Sequence, residues 1–237
     1  MMIADNAELH RRQRSFRQVL DAFARPGTVR LIELDAPDEA RPASLDGALC
    51  ALVRLFVDQA VSFAVADAES DAAARYLSSE THARRTSVDR ADFVIVPARA
   101  DERLACEALS QAKAGTPASP ELGATVIVGC VHIEPADGEA DAAGESRVLA
   151  DPDGMAVAAV RGPGVESVNR FRVDRAAWAH ARAARGDEFP CGVEVVLVAP
   201  DGRVAALPRT SVVTVEGPAA DALRQDAAEG FAEREVR

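Results

Sequence analysis

The sequence predicts a three-layer αβα sandwich built on a mixed sheet, and three features lead there. Short β-branched and aliphatic runs at residues 61–65, 93–96 and 193–198 read as strands buried on both faces. They alternate with helical stretches, the pattern of helices covering both sides of a sheet. At 237 residues and 48% apolar content, the chain can bury a sizeable core.

The best-specified stretch is 189–215. After the strand at 193–198, Pro200-Asp201-Gly202 reverses the chain, because proline presets φ, aspartate bonds its own backbone and glycine takes a left-handed conformation. Residues 203–207 return as a partner strand. Pro208 removes a ladder donor and stiffens a corner that carries Arg209 and Thr210, and a strand resumes over 211–215.

Taken in order, residues 6–24 read as a helix with Leu9, Phe16, Val19, Leu20 and Phe23 on its apolar face, stopped by Arg25-Pro26-Gly27. A strand is expected over 28–34. Residues 45–57 form an apolar helix, 71–77 another, and 78–92 a polar irregular segment containing Thr81, His82, Arg84 and Arg85. The stretch 101–114 is a helix with acids in its first turn and Lys113 in its last, the order the helix dipole favours. A turn-rich loop follows over 115–123, then one long strand over 124–133. Residues 135–154 read as an acidic excursion, 155–160 as a strand and Gly162-Pro163-Gly164 as a tight turn. Helices are expected over 173–185 and 219–231, within a single domain whose core spans about 15–217 and whose charged extension spans 218–237.

Composition removes several function classes. A net charge of −11 opposes binding to nucleic acid or an anionic membrane, and 4% aromatic content does not furnish a stacking platform. Basic residues at 10–14 stand where a signal peptide needs an apolar core, and no apolar run approaches the ~18 residues of a membrane span. The four cysteines contain no CxxC pair, so free thiols in a cytoplasmic protein are expected.

Motifs are equally restrictive. The sole lysine, Lys113, precedes Gly115 and so cannot complete a Walker phosphate loop; neither a GxSxG elbow nor an HExxH is present. Pyridoxal phosphate requires a Schiff-base lysine, and Lys113 has a sufficient explanation in the helix dipole and in solvent exposure, so no cofactor is expected. Cys130 and His132 stand two apart on the expected long strand, an incomplete zinc set. His82 reads either as an acid or base or as an exposed loop residue. Arg11, Arg12, Arg14 and Arg17 can hold an anion or form a solvated helix face. Arg17, Arg161 and Arg209 suit an anion site or an interface, since a guanidinium grips phosphate or carboxylate with two parallel bonds.

A set of ordered landmarks is more specific. Ser15-Phe16-Arg17 with Ala22 and Arg25-Pro26-Gly27 comes first. Gly115-Thr116, Pro120-Glu121 and Gly123-Ala124-Thr125 follow, then Gly162-Pro163-Gly164, then Phe189-Pro190 with Gly192 running to Leu207-Pro208-Arg209-Thr210. Together they resemble the PhnH family, a subunit of the bacterial carbon–phosphorus lyase system. The resemblance implies a fold related to the pyridoxal-dependent transferases without their cofactor. It also implies self-association as a homodimer, and assembly with PhnG, PhnI and PhnJ, PhnL also acting, for the step that makes α-D-ribose 1-methylphosphonate 5-triphosphate from ATP and methylphosphonate. It assigns no catalytic residue. Thr116 and Glu121 join Arg17, Arg161, Arg209 and His82 as anion-binding or interface candidates. The rival readings are an anion- or nucleotide-binding module and a stand-alone pyridoxal-type transferase.

Overall fold

A computed structural model describes residues 2–34, 36–68, 70–136, 155–186 and 188–216. Most of the expected acidic excursion, the helix at 219–231 and the charged extension lie outside the described residues. The rest is an α/β protein with a seven-stranded mixed sheet flanked by helices and a second, four-stranded antiparallel sheet. The expected mixed sheet with helices against it is present, and the second sheet adds to that expectation.

In chain order the large sheet takes β1 (Arg30–Leu31), β2 (Ser62–Val65), β3 (Arg84–Arg85), β4 (Phe93–Val96), β5 (Thr125–Gly129), β9 (Glu194–Val198) and β10 (Arg203–Leu207). Their spatial order is β1-β10-β9-β5-β4-β2-β3. The pairs from β9 through to β3 are parallel, and β10 runs against both its neighbours. The small sheet orders β11 (Val212–Glu216), β7 (Ala156–Arg161), β8 (Asn169–Val173) and β6 (Ile133–Pro135).

Alternation along the central strands splits their side chains between two cores. Ile95, Ile127, Val196, Val198 and Val204 pack on one face with Val19 and Ala22 of α1 (Met2–Ala24), and with α2 (Gly47–Phe56) and α3 (Ser70–Thr81). Val94, Val126, Val128, Val195 and Leu197 pack on the other with α4 (Glu102–Gln111), α5 (Ala177–Ala184) and the small sheet's Phe171, Val160 and Ile133. The small sheet thus supplies, beside two helices, apolar cover that helices alone were expected to give.

Local chemistry sets the best-predicted boundaries. Asp46 caps α2 by accepting from Leu49 N at 2.8 Å, and Asp101 caps α4 by accepting from Arg103 N at 2.7 Å. The hairpin between β9 and β10 closes as predicted, with Gly202 at φ +90°. Four expectations need correction. The 28–34 strand shrinks to two paired residues, since β1 is an edge strand with a single partner. The 78–92 segment hides the end of α3 and the short β3, held by parallel backbone pairing that a polar sequence does not announce. The 173–185 helix begins only at Ala177, because Asn169–Val173 is a strand with Phe171 and Val173 buried. On α1, Val19 and Ala22 are buried but Leu9, Phe16 and Leu20 are exposed, so the helix lies against β10 and β1 along a narrower stripe than its apolar residues suggest.

The single strand expected at 124–133 is two strands in two sheets. Asp174 explains the break: its carboxylate accepts from Val131 N at 3.0 Å and His132 N at 2.9 Å, taking amides that a ladder would otherwise use. The next residue, Arg175, is 6% exposed and donates to the carbonyls of Pro97 (3.1 Å), Ala98 (3.3 Å), Ala100 (2.8 Å) and Gly129 (3.0 Å). It ties the ends of β4 and β5 to the start of α5.

Candidate functional site

Landmark segments far apart in sequence meet at one corner of the molecule. The chain turns at Pro208, whose carbonyl accepts from Ser211 N at 2.9 Å. Within this turn Arg209 donates through Nη1 to the Pro120 carbonyl, joining the corner to the 115–123 loop. Gly192 N donates to Ala114 O at 2.8 Å, which brings the segment before β9 against the same loop. Gly123 has no room for a side chain there, since a Cβ would collide with the Gly192 carbonyl oxygen. At Gly162, φ is +132° and a Cβ would come within 2.9 Å of Thr210 O. Asn169 Nδ2 donates to Pro26 O at 2.8 Å, which fixes the Arg25-Pro26-Gly27 stop beside β7 and β8.

A cleft of about 630 Å³ opens at this corner. Its walls are the end of α5 (Ala179, Arg182, Ala183, Arg185), the segment around Glu188, Phe189, Cys191 and Gly192, the stretch 209–213, and Pro163. Among the described residues, three guanidinium groups stand in these walls against one carboxylate, Glu188, in a chain whose net charge is −11.

The three arginines are not equivalent. Arg185 grips Glu188 in a fork at 2.7 and 2.9 Å and gives Nη1 to the carbonyls of Leu109 and Ser110, so its charge and donors are matched. Among the described residues Arg209 reaches one carbonyl, that of Pro120. Arg182 donates one bond, Nη2 to Pro208 O at 2.5 Å, and its Nη1 is buried without a hydrogen-bond partner among the described residues. Burial pulls the Arg182 guanidinium down to about 10, with Glu194 acting the other way. Ser211, 8% exposed and also in the wall, has a buried Oγ with no partner among the described residues.

Of the six residues singled out from sequence, the structure puts Arg209 in the cleft wall. Thr116 and Glu121 are exposed on the loop that Arg209 contacts, and Thr116 Oγ1 accepts from Ser119 N at 3.2 Å within that loop. Arg161 is exposed at the end of β7, opposite Val212 and just before the corner glycine, outside the cleft lining. Arg17 is exposed on α1 and makes no ion pair or hydrogen bond among the described residues. His82 lies at the opposite edge of the sheet, exposed between α3 and β3 with φ +59°. The N-terminal arginines divide as well: Arg12 pairs with Glu8 at 2.7 Å and Arg14 with Glu33 at 2.5 Å, both on the surface.

Two further expectations change. Cys130 and His132 are not neighbours on one strand: Cys130 is fully buried, where desolvation pushes its thiol well up, and His132 is exposed past the break. No group of three or more potential metal ligands occurs among the described residues. Lys113 is explained by a partner rather than by exposure, since its Nζ lies 2.5 Å from Asp92 Oδ1 while Ser62 N and Oγ donate to Asp92 Oδ2 at 2.7 Å.

Sequence reasoning missed Arg182, Arg185 and Ser211. A signal existed for the first two, which stand three apart at the C-terminal end of α5, Arg182 in its last turn and Arg185 as its cap. Nothing in the sequence told which wall that end would join.

The fold and the corner define an α/β protein with an arginine-walled cleft beside a tightly packed backbone junction. Residues 4–214 match the family model described as "Bacterial phosphonate metabolism protein (PhnH)", and the chain belongs to that family, whose business is phosphonate metabolism. No curated protein matches it.

Proposed function

We propose that this chain is a non-catalytic, or only co-catalytic, subunit of a carbon–phosphorus lyase assembly. In this reading it acts with PhnG, PhnI and PhnJ, and with PhnL, when methylphosphonate replaces the adenine of ATP to give α-D-ribose 1-methylphosphonate 5-triphosphate. It works in the cytoplasm as one domain without a bound cofactor, pairs with itself when alone, and belongs to the pyridoxal-dependent transferase fold group by descent of shape rather than of chemistry. The observation that carries the reading is the convergence of the family landmarks: the 115–123 loop, the 189–192 segment and the 208–211 turn meet through Arg209 and Gly192. Residues that carry the family resemblance and meet in space at an arginine-bearing surface suit docking or anion contact (Arg209, with Thr116 and Glu121 nearby) rather than a self-contained acid–base centre. No helix among the described residues is long and apolar enough to cross a membrane, consistent with work in an aqueous compartment.

Co-expression with the other subunits, followed by a single affinity step on this chain, tests the reading. PhnG, PhnI and PhnJ are expected in the eluate in fixed proportion. Recovery of this chain alone, with the partners fully assembled without it, would refute the proposal.

A second reading, a module that holds an anion for the assembly, is favoured by the surplus of guanidinium groups in the cleft walls.

A further inference from the structure

Sunk between α5 and the 208–211 turn, Arg182 makes one hydrogen bond and no ion pair among the described residues, and Glu194 acts on its charge only through space. A structural role for a buried cation normally shows as saturation of its donors, because an unmatched buried donor costs about 1–3 kcal/mol and a charged one more. Arg175 shows what saturation looks like in this same protein, with four carbonyls around it. Position in the last turn of a helix complements the dipole, yet that needs neither burial nor a cleft.

Four buried side-chain polar atoms lack a hydrogen-bond partner among the described residues, and two of them meet at this corner; the other two, Arg170 Nε and His180 Nε2, belong to residues outside the cleft lining. The Pro208 carbonyl accepts from both Arg182 Nη2 and Ser211 N, so Arg182 and Ser211 meet at one turn, and each keeps a buried polar atom without a partner among the described residues. Arg209, one residue past that carbonyl, stands in the same wall. Glu188, the carboxylate of the cleft, is already held by Arg185 and so does not neutralise Arg182. The volume of about 630 Å³ is that of a small-molecule site rather than a packing defect.

We infer that the cleft binds the oxyanion head of a small organic phosphonate or phosphate, gripped by Arg182 with help from the Ser211 hydroxyl and Arg209. Arg182 lines the cleft, and Nη1 is the donor left over for an oxyanion once Nη2 has bonded the Pro208 carbonyl. Guanidinium suits this ligand because two parallel N–H groups match two oxygens of a tetrahedral head, and the hydroxyl adds a third donor. Beside these groups the wall is apolar at Ala179, Ala183 and Val213, where an organic substituent has something to lie against. The inference deepens the anion-holding reading and stands apart from partner binding.

The test titrates the full chain with inorganic phosphate, methylphosphonate and phenylphosphonate, and with chloride at matched ionic strength. Thermal midpoint and fluorescence of the single tryptophan, Trp178 in α5, are the readouts. Saturable rises in midpoint are expected with all three phosphorus anions, largest for phenylphosphonate, and none with chloride. Arg182→Gln is expected to weaken binding about tenfold or more, and Arg103→Gln on the outer surface of α4 to leave it unchanged. Absence of saturable binding to the unmodified chain overturns the inference, as does full affinity in Arg182→Gln. Should that variant not fold, Arg209→Gln takes its place, and unchanged affinity there overturns the inference equally. Equal affinity for phosphate and phenylphosphonate removes the organic substituent from the proposal. If no anion binds while Arg182→Gln abolishes recovery of partner subunits, the guanidinium serves a partner's carboxylate instead. Absence of anion binding by the unmodified chain, with co-purification intact, sinks this inference alone.

Discussion

Arg175 and Arg182 lie seven residues apart, one before α5 and one inside it, and they are treated in opposite ways. The first is enclosed by the ends of β4 and β5, with carbonyl oxygens on Nη1 and Nη2. The second sits beside the corner turn with one carbonyl and a buried nitrogen left over. Both regions are tightly built in their backbones, as Gly129 beside Ala98 and Gly123 beside Gly192 show. The contrast therefore does not come from loose packing around Arg182. One end of the sheet uses a cation to finish its own hydrogen bonding, and the corner holds one whose bonding is unfinished.

The largest effect should come from the finished site. Arg175→Ala removes the donor shared by the carbonyls of Pro97, Ala98, Ala100 and Gly129, and it leaves acceptors buried where water reaches poorly. A loss of about 3–5 kcal/mol in urea denaturation is expected. A loss below about 1 kcal/mol would break the comparison, because it would mean that the carbonyls are satisfied without the guanidinium.

Next in size is the backbone of the corner. Gly123→Ala keeps an ordinary φ of −61° but drives a methyl group into the Gly192 carbonyl oxygen, so the two segments must separate. The expected cost is about 2 kcal/mol. Disruption should spread to the contact between Arg209 and Pro120, seen as altered protection of amides 115–123 and 189–192 in hydrogen exchange. An unperturbed midpoint would mean that the corner is soft and that its convergence is incidental.

The same contrast accounts for what the sequence made legible. Asp46, Asp101 and Pro200-Asp201-Gly202 act on neighbours two or three residues away, so α2, α4 and the β9–β10 hairpin were predicted close to where they stand. The strand at 169–173 alternates as a strand should, with Phe171 and Val173 inward, but it adjoins the helix of Trp178 and the two were merged. Assignment of strands to two sheets was not legible, since β7 and β11 are as apolar as the strands of the large sheet and periodicity carries no partner. At the site, Arg209 was legible from Pro208 and the ordered landmarks. Arg182 was not, because its distinction lies in the absence of a partner, and partners come from residues far along the chain. Lys113 makes the same point from the other side: its helix-end position explained it locally, yet Asp92 at the start of β4 is what holds it.

That pair provides an intermediate case, a part-buried charge with its complement in place. Burial pushes the Asp92 carboxyl up, but hydrogen bonds from Lys113 and Ser62 outweigh it and hold the carboxyl below its ordinary range. A folded-state pKa below the unfolded value gives stability that is fully present above the unfolded value, about 4, and is lost as pH falls through the folded one. Asp92→Asn should therefore cost about 1 kcal/mol at neutral pH and flatten the fall in thermal midpoint below about pH 4. Equal acid sensitivity in both proteins would show that Asp92 is not among the carboxylates that set it.

The smallest stability change is expected where the charge is unmatched. Arg182→Met keeps the length and apolar stem of the side chain and removes a cation that burial already disfavours, as its lowering to about 10 reflects. The bond to Pro208 O is lost, but Ser211 N still donates to that carbonyl. Gain and loss should nearly cancel, leaving the unfolding free energy within about 1 kcal/mol of the starting protein, on the stabilising side if desolvation dominates. A midpoint raised or unchanged, beside the collapse expected of Arg175→Ala, would show that two arginines seven residues apart are kept for different reasons. A loss as large as that of Arg175→Ala would mean that Arg182 is structural after all, and the cleft would then need another explanation for its surplus of positive charge.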